Sequence, residues 1–291
     1  MTSVPASLHR PLLAWYDEHA RDLPWRSATA SPWSVMVSEL MLQQTPVSRV
    51  LPVHQEWLAR WPTPTDLAAE PPGAAIRVWG RLGYPRRALR LHAAAAAITE
   101  QHGGEVPADL GTLRTLPGVG DYTAAAIAVF AFGQRHAVLD TNVRRVLGRV
   151  AGGTEFPPVS LTRAERERAT DLLPEDHADA ATWSIAVMEL GALVCTAARP
   201  RCVDCPVADA CAWRTAGYPA YDGPPRRGQA WAGTDRQCRG RLMAAVRDAD
   251  RPVGVDRLAR AWDEADQRTR CLAGLVEDGL LVRTSAGYAL P

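Results

Sequence analysis

Residues 116–147, LPGVGDYTAAAIAVFAFGQRHAVLDTNVRRVL, carry two chemically suggestive signals twenty residues apart. The first is Leu116-Pro117-Gly118-Val119-Gly120, followed directly by a helix-forming run over 122–132. Two glycines in a five-residue turn let backbone N–H groups approach a ligand closely. N–H groups at a helix start bind phosphate without reading a base edge. Asp121 is placed to cap that helix. The second signal is Asp140, in Leu139-Asp140-Thr141-Asn142, just ahead of a helix built on Val143, Val146 and Leu147. Taken singly, a Gly-Val-Gly turn is an ordinary interhelical connection, and an Asp in this position is an N-cap.

A third acid stands out by its surroundings. Glu39 lies among Val35, Met36, Val37, Leu40, Met41 and Leu42, on a helix that is apolar nearly all round and therefore buried. Either its carboxylate sits at the edge of the buried face and reaches water or an arginine, or an apolar pocket holds it protonated as a general acid. The helix ends in Gln43-Gln44-Thr45-Pro46, two amides and a hydroxyl suited to base edges, with Pro46 as the stop.

Six cysteines occur, and four of them fall within seventeen residues as Cys195, Cys202, Cys205 and Cys211, a C-x6-C-x2-C-x5-C pattern. Cys238 and Cys271 stand apart. Clustering of this kind points to metal and away from a disulfide framework. Four thiolates hold either tetrahedral zinc or a cubane iron–sulfur cluster. Zinc sites usually come as two close knuckles, and here only Cys202 and Cys205 are that close. Arg199, Arg201 and Arg214 lie in or beside the loop, within reach of a phosphate backbone.

The elements that must position these groups read as helices. Apolar periodicity predicts a helix over 7–20 and another over 33–44, the latter entered through Pro32. Further helices are expected over 47–61, 66–69, 74–80, from Pro85 onward, 122–132, after Asp140, 161–173 and 183–194. Residues 107–113 read as a connection to the glycine turn. Tyr84, in the tight turn Leu82-Gly83-Tyr84-Pro85 beside Arg86, Arg87 and Arg90, reads either as a core tyrosine or as an aromatic wedge between base steps. Residues 216–233 are rich in Pro and Gly around Pro224-Pro225-Arg226-Arg227 and read as a linker. Beyond it, helices over 239–248, 255–262 and 265–278 and a hairpin around Ser285-Ala286-Gly287 resemble a winged helix, which either binds DNA or packs on the rest of the chain.

Composition bounds the chemistry further. The chain has 291 residues, 47% apolar and 22% charged, as expected for globular protein. No apolar run approaches the ~20 residues of a membrane span. The first 25 residues carry acids and tryptophan, unlike an export signal, so the chain is expected to be cytoplasmic. A net charge of +1 supplies no global field for nucleic acid, so any such binding must be local. There is no lysine, and all 33 basic residues are arginine. Schiff-base chemistry by a lysine side chain is therefore excluded.

Ser38-Glu39-Leu40-Met41-Leu42-Gln43-Gln44-Thr45, the glycine turn, Asp140 and the cysteine spacing together resemble the A/G-specific adenine DNA glycosylases (MutY type), over roughly residues 8–213. The resemblance implies a mainly α, helix-hairpin-helix DNA glycosylase fold with a [4Fe–4S] cluster on Cys195, Cys202, Cys205 and Cys211. It implies Glu39 as general acid toward adenine N7 and Asp140 as the carboxylate facing the oxocarbenium ion. Tyr122 and Asn142 would position Asp140 and the attacking water. Trp25 and Arg26 match the pocket wall, and Gln44, Thr45, Leu82 and Tyr84 match positions that probe the duplex and the opposite base. Gly118, Val119 and Gly120 would grip phosphate.

The expected partner is duplex DNA containing an adenine mispaired with 8-oxoguanine or guanine, bound by a monomer with no membrane involved. A thymine/uracil mismatch glycosylase and a non-catalytic DNA-binding module with a structural cluster are the alternatives. Endonuclease III, the nearest lyase-type relative, has lysine where this chain has Tyr122. Two departures stand out. Trp183-Ser184-Ile185-Ala186 replaces a run that carries Gln or Glu in many relatives, removing one expected contact to adenine. The tail is also too short for the Nudix-like 8-oxoguanine reader of well-known members, a domain of about a hundred residues.

The expected organisation is a glycosylase region over 1–215, a linker over 216–238 and a winged-helix-like unit over 239–291. Within the first, a six-helix module over about 28–134 carries the hairpin, and a second helical module of 1–27 plus 135–215 carries the cluster loop. Without lysine no imine can accumulate on a side chain, so borohydride added during turnover should trap no enzyme–DNA adduct. A robust trapped band on a denaturing gel would implicate the N-terminal amine and a lyase mechanism.

Overall fold

Apolar residues at helical spacing build most of the chain, and the computed structural model describes residues 6–224 and 231–291. Among the described residues there are fifteen α-helices and one two-stranded hairpin. Pro225, Arg226 and Arg227 of the expected linker lie outside the described residues. The chain divides into two units, one of residues 1–35, 108–114 and 119–225, the other of 36–107, 115–118 and 226–291.

The first unit contains α1 (Ala6–His19), the start of α2 (Pro32–Leu42), most of α7 (Leu110–Thr115), α8 (Asp121–Phe132), α9 (Thr141–Val150), α10 (Arg163–Asp171), α11 (His177–Leu193) and α12 (Ala212–Thr215). Its core joins Leu8, Leu12 and Trp15 of α1 to Val143, Val146 and Leu147 of α9 and to Trp183, Val187 and Leu190 of α11. Helices α9 and α11 pack closely because Gly191 has no side chain. A Cβ there would stand 2.8 Å from the Cβ of Asn142. That glycine is what lets the first turn of α9 lie against α11.

The second unit contains the rest of α2, then α3 (Val47–Arg60), α4 (Pro64–Ala68), α5 (Pro72–Trp79) and α6 (Arg86–His102). Trp57, Trp61 and Trp79 are fully buried and meet edge to face, with Trp57 at 4.8 Å from Trp61 and 5.9 Å from Trp79. Ala94 and Ala95 leave α6 narrow on one side, and α4 packs there.

The same unit holds the tail: α13 (Asp235–Arg247), α14 (Val255–Ala261), α15 (Ala265–Glu277), β1 (Val282–Thr284) and β2 (Gly287–Ala289). The strands pair antiparallel with Arg283 opposite Tyr288. Cys238, Leu242, Val246, Leu258, Cys271, Leu275 and Leu280 are buried within it. Of the two outcomes open for this piece, packing on the chain's own helices is observed. Arg77 donates to the carbonyl oxygens of Arg247 and Ala249, and Arg247 donates to Gly80 O at 2.7 Å. Gly73 N donates to Pro291 O at 2.8 Å, and Asp278 pairs with both Arg86 and Arg239.

Three local expectations need correction. Asp121 does not cap α8: Gly120 occupies the N-cap position, and Asp121 opens the helix and pairs with Arg114 at 3.1 Å. The connection over 107–113 is in part a helix, α7, held at its start by Asp109, which accepts from the Thr112 amide at 2.7 Å. Helix α11 begins at His177, six residues before expectation, because Asp176 caps it by accepting from the Asp179 amide. The starts of α7 and α11 depend on single capping side chains, to which apolar periodicity is blind.

Candidate active site

Helix α9 starts because Asp140 caps it. The Val143 amide donates to Asp140 Oδ1 at 2.6 Å, and Asn142 adds hydrogen bonds from its backbone and side chain. Burial pushes the Asp140 carboxyl above its ordinary range, while the bonds from Val143 and Asn142 and the charge of Arg145 pull the other way. Arg145 is itself buried. Its Nη2 donates to Asn142 Oδ1 at 2.9 Å and to Gly191 O at 2.7 Å, and its Nε donates to Cys195 O at 2.8 Å. The chain Asp140–Asn142–Arg145 therefore ties the first turn of α9 to the end of α11. Tyr122, in the first turn of α8, packs against a small core of Ala125, Ala126, Val129 and Val138.

Trp25 and Arg26 lie in a 3-10 turn over residues 24–26, with Trp25 buried. Arg26 is oriented by a residue that pattern reading missed. Glu189 of α11 is fully buried, and accepts from Arg26 Nη2 at 2.9 Å and from Arg21 Nε and Nη2 at 2.7 Å each. Burial alone would raise the Glu189 carboxyl, but the bonds and charges of Arg21 and Arg26 overcome it and hold it down at about 2. The signal was available: an isolated acid in an apolar helix is what singled out Glu39. Ile185 is half-buried one turn earlier on α11.

Glu39 sits on α2 with 5% of its surface exposed, between Ser38 and Leu40, which are more deeply buried still. The helix end beyond it is fastened by Arg87 of α6. Its Nη1 donates to Leu40 O at 2.9 Å, Met41 O at 3.1 Å and Gln43 O at 2.6 Å, and its Nη2 to Gly83 O and Thr45 Oγ1 at 3.1 Å each. Burial pulls Arg87 down to about 10. Thr45 is buried and its hydroxyl serves this network, whereas Gln44 is exposed with a left-handed backbone, φ 56°. Leu82 is buried and Tyr84 is exposed, with φ 48°.

In the glycine turn Gly118 has φ 80°, and a Cβ there would stand 2.7 Å from the Cβ of Arg90. Val119 is buried. Gly120 is different: its backbone is extended, and a Cβ would meet nothing within 4 Å. The fold requires glycine at 118 and leaves the space at 120 open.

All four clustered cysteines line one small cavity, with Arg149, Leu190, Val194 and Trp213. Arg149 lies beneath it, donating from Nη1 to Cys195 Sγ at 3.4 Å and to Thr196 O at 2.8 Å, and stacking over Trp213 at 4.6 Å. Burial pushes the Cys195 thiol up, against the pull of Arg149 and Arg145, and takes Cys205 to about 11; a bound cation among the sulfurs favours their thiolate forms. Among the described residues no three of His, Cys, Asp and Glu are close enough to hold a single ion.

This fold and these groups define a base-excision DNA repair protein of the helix-hairpin-helix class. The HhH-GPD superfamily base excision DNA repair protein family matches residues 37–171. A solved thermostable thymine-DNA glycosylase is similar with a TM-score of 0.64 and 26% identity, over 72% of this chain and 95% of that one. The adenine DNA glycosylase of Mycobacterium tuberculosis is 50% identical over 96% of this chain and 92% of its own length. That of Mycolicibacterium smegmatis is 50% identical over 95% and 93% respectively. The chain belongs to the adenine DNA glycosylase family.

Glu189 generates a pH prediction. A carboxyl depressed in the fold from 4.5 to about 2 contributes stability that is full above its ordinary value and is lost as pH falls through that window. The contribution is on the order of 3 kcal/mol. Asp140, shifted upward, acts in the opposite sense, so the effect is read as a difference. Denaturant titrations should show the wild type more stable than Glu189→Gln at pH 7, with the gap closing between about pH 5 and pH 2. A gap independent of pH would remove the ion pair as its cause.

Proposed function

We propose that this chain hydrolyses the N-glycosidic bond of adenine mispaired with 8-oxoguanine or guanine in duplex DNA, as a monofunctional base-excision enzyme. Family membership supports the reaction, and the observation that carries the residue assignment is the hold on Asp140. That carboxylate is partly desolvated, fixed by the Val143 amide and Asn142, and backed by Arg145. A fixed, poorly solvated carboxylate is suited to a developing cation, which it meets without reorganising.

In the proposed reaction the target adenine is flipped from the duplex. Glu39, protonated in its apolar helix, donates to adenine N7, so the base leaves neutral. The C1′–N9 bond breaks with oxocarbenium character, and Asp140 stabilises that cation. Water adds to C1′, giving free adenine and an abasic sugar. Tyr122 and Asn142 position Asp140 and the water, and Trp25 and Arg26 wall the base pocket, with Glu189 fixing Arg26. The turn of Gly118, Val119 and Gly120 holds phosphate through backbone N–H groups, with Gly120 kept bare for that approach. Gln44 and Tyr84, both exposed, face the opposite strand, and the buried Thr45, which donates to Leu82 O, ties together the two turns that carry them.

Cys195, Cys202, Cys205 and Cys211 would hold a [4Fe–4S] cluster, which supplies the cross-link that fixes the loop between α11 and α12. The C-x6-C-x2-C-x5-C spacing, with only one close pair, supports a cluster over a single zinc ion. Anaerobically purified protein should be yellow-brown and contain about four irons per chain. One zinc and no iron would sink the assignment.

Single-turnover base release on A·8-oxoG, A·G, T·G and U·G duplexes tests the activity, with adenine release expected and thymine or uracil release pointing to the mismatch alternative. Glu39→Gln should bind duplex normally and lose ~10²–10⁴-fold in the chemical step, since an amide is no acid. Asp140→Asn should be comparably slow. A near wild-type rate for Glu39→Gln would reassign Glu39 to a structural role.

A further inference from the structure

Tyr84 is held in a way that its own helical module does not explain. It follows Gly83, at φ 88°, and itself adopts φ 48°, a left-handed conformation that disfavours any residue with a side chain. Its ring is 43% exposed. Arg87 lies under it at 5.4 Å. A second arginine comes from the tail: Arg236, in the first turn of α13, stacks over the Tyr84 ring at 5.0 Å and donates from Nη2 to its hydroxyl at 2.9 Å. The same guanidinium stacks on Trp231 at 5.5 Å, and Trp231 is 53% exposed.

Docking of the tail does not depend on this contact. Arg77 with Arg247 and Ala249, Arg247 with Gly80, Asp278 with Arg86, and Gly73 with Pro291 already anchor it. Nor does the contact bury the two rings, which remain among the most exposed large apolar side chains. Half-exposed aromatic side chains joined by a guanidinium form a surface for planar, π-faced ligands flanked by negative charge. That is the chemistry of nucleobases in a DNA strand.

We propose that Arg236 is a positioning residue for Tyr84, and that Tyr84, Arg236 and Trp231 form a stacking surface for bases of the strand opposite the excised adenine. The proposal rests on the reading of Tyr84 as a wedge into the duplex. It gives the helices after residue 231 a part in opposite-strand readout. The hydroxyl bond and the cation–π contact fix the ring, so that less ordering remains to be done when a base step opens.

The test uses the full chain and binding, not excision, on two duplexes: one with a non-cleavable adenine analogue opposite 8-oxoguanine, and its fully paired counterpart. A 2-aminopurine beside the opposite base reports unstacking. Tyr84→Ala, Arg236→Met, Arg236→Lys and the Tyr84→Ala/Arg236→Met double variant are compared, with thermal melts checking that each folds. Arg236→Met should lose about tenfold in preference for the mispaired duplex and lower the 2-aminopurine signal. Arg236→Lys should recover part of both, and the double variant should be no worse than Tyr84→Ala alone. The proposal is overturned if Arg236→Met weakens both duplexes equally with a shallower salt dependence, which marks a plain phosphate contact, or if its effect adds to that of Tyr84→Ala. If Tyr84→Ala keeps full preference, the wedge reading itself fails, and the proposal with it. If Tyr84→Ala loses preference while Arg236→Met keeps it, only the role of Arg236 fails.

Discussion

Buried guanidinium groups at helix C-termini are the interaction on which the expected site depends. The last carbonyls of a helix have no intrahelical partner and carry the negative end of its dipole. At the end of α2, Arg87 collects the carbonyls of Leu40, Met41 and Gln43 together with that of Gly83. At the end of α11, Arg145 collects those of Gly191 and Cys195, and Arg149 those of Thr196 and Ala197. Each fork caps a helix and fastens the loop that follows in one step. A lysine ammonium is a point charge, and could not meet so many acceptors in fixed directions. The residues proposed to carry chemistry hang from such forks: Glu39 on α2, Asn142 and Asp140 beside Arg145, and Cys195 beside Arg145 and Arg149.

What could be read in the sequence was what is locally anomalous. Glu39 is an acid in an apolar run, four cysteines crowd into one loop, and Asp140 precedes a helix whose start it caps. These are visible within a window of a few residues. The mainly helical fold was legible for the same reason, since each helix of any length carries its own periodicity. Glu189 shows the limit. It resembles Glu39 in context, yet its role depends on Arg21 and Arg26, more than 160 residues away in sequence. Arg87 could not be told from its neighbours Arg86 and Arg90, because only the packed fold decides which of three nearby arginines turns inward. Thr45 was expected at base edges on its chemistry, and that hydroxyl is taken by Arg87 and the chain's own carbonyls.

In the proposed reaction Asp140 carries a structural and a chemical duty without conflict. As an N-cap it contributes about 1 kcal/mol, and Asn serves that purpose as well as Asp. Its charge is therefore surplus to the needs of the helix. Burial works against that charge, while the Val143 amide, Asn142 and Arg145 favour it. The balance leaves a carboxyl that water solvates poorly and the protein holds still. A carboxylate in water would be stabilised by solvent that must reorganise when a cation forms beside it. Here the stabilising dipoles are backbone and side-chain groups already fixed by α9 and by the close approach that Gly191 permits. The gain from an approaching cation is then nearly the full Coulomb attraction in a partly desolvated site. It is the cap, needed for folding, that aims the charge needed for chemistry.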